Sequence, residues 1–177
     1  MSEQFVIALG SNLGERLANL QAGIDYLAAV PGLEVTAASP VYETAPVGGP
    51  PQPDYLNAVV LADSALTARV ILGRCQAAER ALGRVRTVVW GPRTLDVDLI
   101  SHGGEISEEP ELTLPHPRAH ERAFVLAPWH DVDPDANLAG YGPVADLLAA
   151  ADKTGISRAR GLTLVIGQGG AGHDVPT

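Results

Sequence analysis

The sequence predicts an α+β fold: a ferredoxin-like βαββαβ core with an antiparallel sheet, helices on one of its faces, and C-terminal additions. Three observations carry this. Short apolar or β-branched runs alternate with two longer stretches in which apolar residues return every three or four positions. Clusters of Gly and Pro separate the segments. The 177 residues are 46% hydrophobic and 19% charged, a globular composition in a chain long enough to bury a core as one domain.

Each element follows from local pattern. Phe5–Leu9 (FVIAL) reads as a buried strand ending at Gly10, with Ser11 or Asn12 placed to cap a helix. Leu17, Leu20, Ile24 and Leu27 fall at helical spacing within 13–30, and Pro31-Gly32 stops that helix. LEVTAASPVYET is β-branched and reads as one long strand, bent at Pro40. The loop APVGGPPQPD follows, and then YLNAVVLADS as a half-buried strand. Ser64 or Thr67 opens a second helix with Val70, Ile71, Cys75, Ala78 and Leu82 as its core stripe and Gly83 as C-cap. RVRTVVWGPR reads as an exposed basic loop, TLDVDLIS as the fourth strand, and His102-Gly103-Gly104 as a turn. Beyond it, LPHPRAHERAFVLAPW holds a Pro-rich turn and a short helix, 143–151 a further helix, and GLTLVIG a late strand. One domain is expected over 1–166, with a mobile Gly-rich tail over 167–177.

The net charge of −9 argues against a protein whose main partner is nucleic acid or an anionic membrane. A single cysteine, Cys75, allows no disulfide within the chain and reads as a small core residue. No apolar run reaches membrane-spanning length and no secretory leader is apparent, so a cytoplasmic location is expected.

The chemistry centres on LDVDL. Asp is a poor strand former, yet Asp96 and Asp98 stand on the same face of the fourth strand. At roughly 6 Å and an effective dielectric of about 20, two carboxylates repel by about 3 kcal/mol. A cation, an arginine or a shared proton would offset that cost. A solvent-facing strand with arginines nearby would satisfy the same pattern. Arg84, Arg86, Arg93, Arg118 and Arg122 flank the pair and make up 5 of the 12 Lys and Arg residues. Carboxylates for Mg²⁺ beside guanidinium forks for phosphate are the parts of a phosphoryl-transfer site. ALGSNLGE lacks both the Walker pattern and G-x-G-x-x-G, so a tight turn explains its glycines better than a phosphate loop. Tyr55 and Asn57 share a strand face and offer a flat ring beside an amide, which suits a heterocycle as well as an ordinary hairpin. His116, in LPHP, is equally suited to phosphate or to a turn.

Four segments together, ALGSNLG, SPVYETAPVGGPPQPDYLNAVV, WGPRTLDVDLI and LPHPRAHERAFVLAP, resemble the 6-hydroxymethyl-7,8-dihydropterin pyrophosphokinases of the folate pathway, in order and in spacing. WGPRTLDVDL is the most specific of them. The resemblance implies transfer of pyrophosphate from ATP to the pterin hydroxymethyl group, with two Mg²⁺ ions and release of AMP. It implies that Asp96 and Asp98 hold the metal and, with Arg84 and Arg93, carry catalysis. Gln76, Glu79, Arg84, Arg86, Trp90, Arg93, Leu99, Thr113, His116 and Arg122 would contact ATP. Thr44, Pro46, Val47, Tyr55, Asn57, Trp90, Asp96 and Phe124 would hold the pterin, with Tyr55 and Phe124 on its two faces. ATP and the pterin are the implied partners, and a monomer is expected. Ala45 and Val89 depart from the family's frequent Pro and Arg, and the loop before Trp90 is one residue short.

Overall fold

The computed structural model describes residues 2–46, 48–82 and 94–167. The first half of the chain supplies β1 (Glu3–Ser11), α1 (Arg16–Ala28), β2 (Leu33–Ala38), β3 (Tyr42–Thr44), β4 (Tyr55–Ser64) and α2 (Ala68–Ala81). The second supplies β5 (Asp96–His102), β6 (Ser107–Glu109), β7 (Leu112–Leu114), α3 (Ala123–Val132), β8 (Asn137–Leu138), β9 (Gly142–Pro143), α4 (Val144–Ala150) and β10 (Ile156–Arg158). The main sheet runs β10-β3-β4-β1-β5, with β2 also on β4. Every pairing in it is antiparallel. This is the strand order of the predicted βαββαβ core, with the long second strand broken at Pro40 into β2 and β3.

The two core helices lie on one face of the sheet, as expected, and the C-terminal additions place helices on the other. Phe5, Ile7 and Leu9 of β1 face α1 and α2, in a core with Leu20, Ile24, Leu27, Ile71, Cys75 and Ala78. Val6, with Val59, Leu61 and Ile100, faces the other way, onto Val125, Leu126 and Trp129 of α3 and Val144 of α4. This explains β1's unbroken apolar run, since a strand covered on both sides has no polar face. It also makes β4 buried on both sides over most of its length, where the sequence suggests half-burial. Among the described residues no helix is long and apolar enough to cross a membrane.

Two local expectations change. Neither Ser11 nor Asn12 caps α1: Glu15 stands at the N-cap, without a side-chain cap bond. Asn12 is occupied elsewhere, as the site makes clear. Thr67 does cap α2, its hydroxyl accepting from the Val70 N–H at 3.3 Å, while Gly83 lies outside the described residues. GLTLVIG forms no strand. Its Leu162, Leu164 and Ile166 do alternate onto the first core, but the backbone of Val165 bonds to the Gln21 side-chain amide on α1, at 2.7 and 2.9 Å, instead of to a ladder. The late strand is β10, a few residues earlier, on the free edge of β3.

Candidate active site

The second face of the sheet is covered by α3 and α4 at one end and open at the other. At the open end β4, β1 and β5 set Asn57, Gly10 and Asp96 in one row, with Val59, Ala8 and Asp98 in the next but one. Because residues two apart share a face, Tyr55 stands beside Asn57 and Asp98 beside Asp96. Gly10 makes the row possible. A Cβ there would lie 2.8 Å from Asn57 Oδ1 and 3.5 Å from Tyr55 Cδ1. The missing side chain leaves a floor between the amide and the carboxylate.

The amide on this floor is held from its side. Asn57, 8% exposed, donates from Nδ2 to Thr44 Oγ1 at 2.6 Å. Thr44 is fixed by the pairing of β3 with β4, where it faces Tyr55. The Pro-rich loop above them is tied down at its far end. Asn12 Nδ2 donates to Gln52 Oε1 at 2.8 Å and to the Pro53 carbonyl at 3.0 Å, and an Arg16 guanidinium N–H donates to the Asp54 carbonyl at 2.9 Å. Asn12 therefore serves the loop and not the helix.

The cavity over this floor has a volume of about 990 Å³ and wraps around the edge of β5. Thr44, Pro46, Tyr55, Asn57 and Phe124 line one part, and Gln76, Glu79, Leu99, Thr113, His116 and Arg122 another, with Asp96 and Asp98 between. Val47, Arg84, Arg86, Trp90 and Arg93 lie outside the described residues. Four lining contributions escape sequence reasoning. Gly10 reads there as a turn residue. Glu111 belongs to a hairpin that sequence reasoning did not identify, and Asp152 and Thr154 come from a stretch with no motif. None carries a motif, and Gly10, Asp152 and Thr154 reach the cavity through pairings between distant segments.

The electrostatics are uneven. Arg122 precedes α3, its guanidinium 5.4 Å from the Phe124 ring centroid, within the range of a cation–π contact. Burial and then the like charge of Arg118 lower its pKa, while Asp98, Glu121 and Asp96 pull it up. Burial first, and then Arg122 and Arg118, bring the His116 pKa down to about 4. His116 is therefore a neutral imidazole at neutral pH. Its Nδ1 faces the Arg118 backbone N–H at 3.3 Å, which places the ring proton on Nε2, leaving a neutral donor in the cavity. Beneath the floor, burial and then Asp98 and Glu79 push the Cys75 thiol up to about 12, in keeping with a core residue rather than a nucleophile.

The donor chemistry fits Mg²⁺. Asp96 and Asp98 are hard oxygen donors, partly exposed into the cavity and beside cationic side chains that suit phosphate. Mg²⁺ takes one or two such carboxylates and completes its shell with water and phosphate oxygens. Among the described residues no group of three or more His, Cys, Asp or Glu could hold a metal by itself.

Comparison with known proteins points the same way. A family model described as 7,8-dihydro-6-hydroxymethylpterin-pyrophosphokinase matches residues 6–134. Proteins named 2-amino-4-hydroxy-6-hydroxymethyldihydropteridine pyrophosphokinase are similar over most of the chain. That of Methylorubrum extorquens is 43% identical over 86% of this chain and 96% of its own. That of Mycobacterium bovis is 50% identical over 81% of each, and that of Pseudomonas aeruginosa 39% identical over 91% and 99%. Among solved structures, an HPPK-DHPS in complex with substrates superposes with a TM-score of 0.65 at 9% identity, over 84% of this chain and 43% of that one. A Plasmodium falciparum HPPK-DHPS A437G/K540E with pterin and p-hydroxybenzoate gives 0.66 at 12%, over 85% and 44%. At such identities these two speak for the fold alone, and the chain spans less than half of each.

Proposed function

The chain belongs to the 7,8-dihydro-6-hydroxymethylpterin-pyrophosphokinase family, and from that premise we infer its reaction: transfer of the pyrophosphoryl group from ATP to 6-hydroxymethyl-7,8-dihydropterin in folate biosynthesis. The pterin hydroxymethyl oxygen forms a bond to the β-phosphorus of ATP. The bond from that phosphorus to the α-phosphate oxygen breaks, AMP leaves, and the hydroxyl proton is released.

The observation that carries the division of labour is the row Asn57–Gly10–Asp96, which sets an amide for a heterocycle edge and a carboxylate for a phosphate-bound cation on one open floor. In this reading Tyr55 and Phe124 take the two faces of the pterin ring. Asn57 and Thr44, already bonded to each other, present their remaining donor and acceptor positions to its edge. Pro46 lines the cavity beside them, and the family resemblance assigns Val47 and Trp90 to the same ligand. Gln76, Glu79, Leu99 and Thr113 form the nucleotide wall. His116, neutral, donates to a phosphate oxygen without adding charge, while Arg122 supplies the charge. The family resemblance assigns Arg84, Arg86 and Arg93 to ATP, and a guanidinium there would stabilise charge moving onto the leaving α-phosphate.

Two Mg²⁺ ions held by Asp96 and Asp98 would neutralise the ATP phosphates and polarise the β-phosphorus. Positioning and electrostatics then supply most of the rate. The acting unit is residues 1–166, monomeric and cytoplasmic. The test is an assay with ATP, 6-hydroxymethyl-7,8-dihydropterin and graded Mg²⁺. Formation of AMP and pterin diphosphate in equal amounts, dependent on Mg²⁺, is expected. ADP as product would refute the reaction.

A further inference from the structure

Thr44 sits on a strand of three residues, bonded along one edge to β4. Its other edge is covered by β10, where Ile156 pairs with Thr44, Ser157 with Glu43 and Arg158 with Tyr42. The pairing continues past both ends. The Ala159 N–H donates to the Val41 carbonyl at 2.8 Å, and the Ala45 N–H to the Gly155 carbonyl at 3.0 Å. At the far end Arg158 bonds to Asp131 of α3 at 2.8 Å, and so does the Tyr42 hydroxyl. At the near end Gly155 takes a φ of +75°, and a Cβ on it would stand 3.1 Å from Ala45 Cβ. Thr154 and Ile156 line the cavity beside Thr44. The strap residues, 154–159, lie beyond residue 134, where the family match ends.

We propose that residues 154–158 are a positioning strap for the pterin half of the site, setting Thr44 and the start of the Pro-rich loop through the Ala45–Gly155 bond. The inference rests on the pterin reading of that half. A three-residue strand held on one edge frays easily, since few bonds oppose its opening. Thr44 must keep its hydroxyl 2.6 Å from Asn57 for the pair to offer one fixed edge. The strap supplies the second edge and anchors it to α3, on the face that forms the cavity. Its effect should fall on the pterin and spare the nucleotide, whose residues among those described lie on α2, β5 and the 113–122 segment.

Two variants attack the strap at its two ends. Arg158→Ala removes the anchor to Asp131, and Gly155→Ala adds a Cβ where both φ and space oppose it. Arg158→Lys keeps a cation for Asp131 and serves as the rescue control. Pterin affinity is read by calorimetry with a non-hydrolysable ATP analogue present, and KM for each substrate by AMP formation. We expect the pterin Kd and KM to rise about fivefold in the two disruptive variants, the magnitude of one lost hydrogen bond. The ATP KM should stay within about twofold, and Arg158→Lys should match the parent. Unchanged pterin affinity in Gly155→Ala overturns the proposal whatever Arg158→Ala does, as does an equal rise in both KM values. A parent that binds the pterin but forms no AMP refutes the reaction and leaves the strap to be judged by Kd. A parent that binds no pterin overturns both.

Discussion

The two faces of the sheet are built from the same strands and come to opposite ends. On the first, α1 and α2, 13 and 14 residues long, cover the strands with an apolar core that includes Phe5, Ile24 and Ala78. On the second, α3 and α4 are 10 and 7 residues long and cover one end, so Tyr55, Asn57, Asp96 and Asp98 meet a cavity instead of a helix. The strand residues that would cost most in a core are the ones at the uncovered end. Incomplete coverage is thus what turns an electrostatic liability into a place for a cation and phosphates.

Breaking the two faces should give opposite phenotypes. The largest effect is expected from Asp96→Ala or Asp98→Ala: AMP formation falls by about a thousandfold, while thermal melting shows no loss of stability, since each change removes one of two like charges. Near-parental Mg²⁺-dependent turnover in either would show that the open end is not the metal site. Next comes Leu27→Ala on the covered face, with Leu27 fully buried. Denaturant unfolding should show a loss of about 2–5 kcal/mol, with the KM values of the folded fraction unchanged.

A change on the floor sharpens the comparison. Gly10→Ala places a methyl 2.8 Å from Asn57 Oδ1, and overpacking of this kind costs about 1–3 kcal/mol. That penalty should appear in pterin binding, measured by calorimetry, more than in ATP binding. The smallest effect concerns pH. His116 has a pKa of about 4 in the folded chain, against about 6.5 unfolded. As pH falls from 6.5 towards 4 the unfolded state takes the proton first, so stability falls across that window and is fully present above it. With partial solvent screening the loss is about 1–2 kcal/mol. His116→Asn should flatten that part of the stability–pH curve. An unchanged slope would mean that His116 is not held neutral.

Much of this was legible beforehand, for reasons that differ by element. The helix stripes of α1 and α2 and the apolar run of β1 are local patterns, and local patterns survive into the fold. The Asp pair was visible because a strand period of two puts 96 and 98 on one face wherever the strand goes. Tyr55 and Asn57 followed from the same rule. The cap of α1 misled because Asn12 has a stronger use 40 residues away, at Gln52. The late strand misled because Leu162, Leu164 and Ile166 alternate as a strand does, yet among the described residues the Val165 backbone bonds to the Gln21 side chain and not to a ladder.

What the sequence by itself determined is the kind of chemistry: which residues are acidic, aromatic or cationic, and which face of its own element each takes. Periodicity is a property of the chain and needs no partner. The tertiary structure alone decided that Gly10 is a floor, that the second face is half covered, and that residues 154–158 stand beside Thr44. Those depend on register between segments up to about a hundred residues apart. Backbone hydrogen bonding looks alike in every register, so the choice falls to side-chain burial and turn geometry once the strands have met.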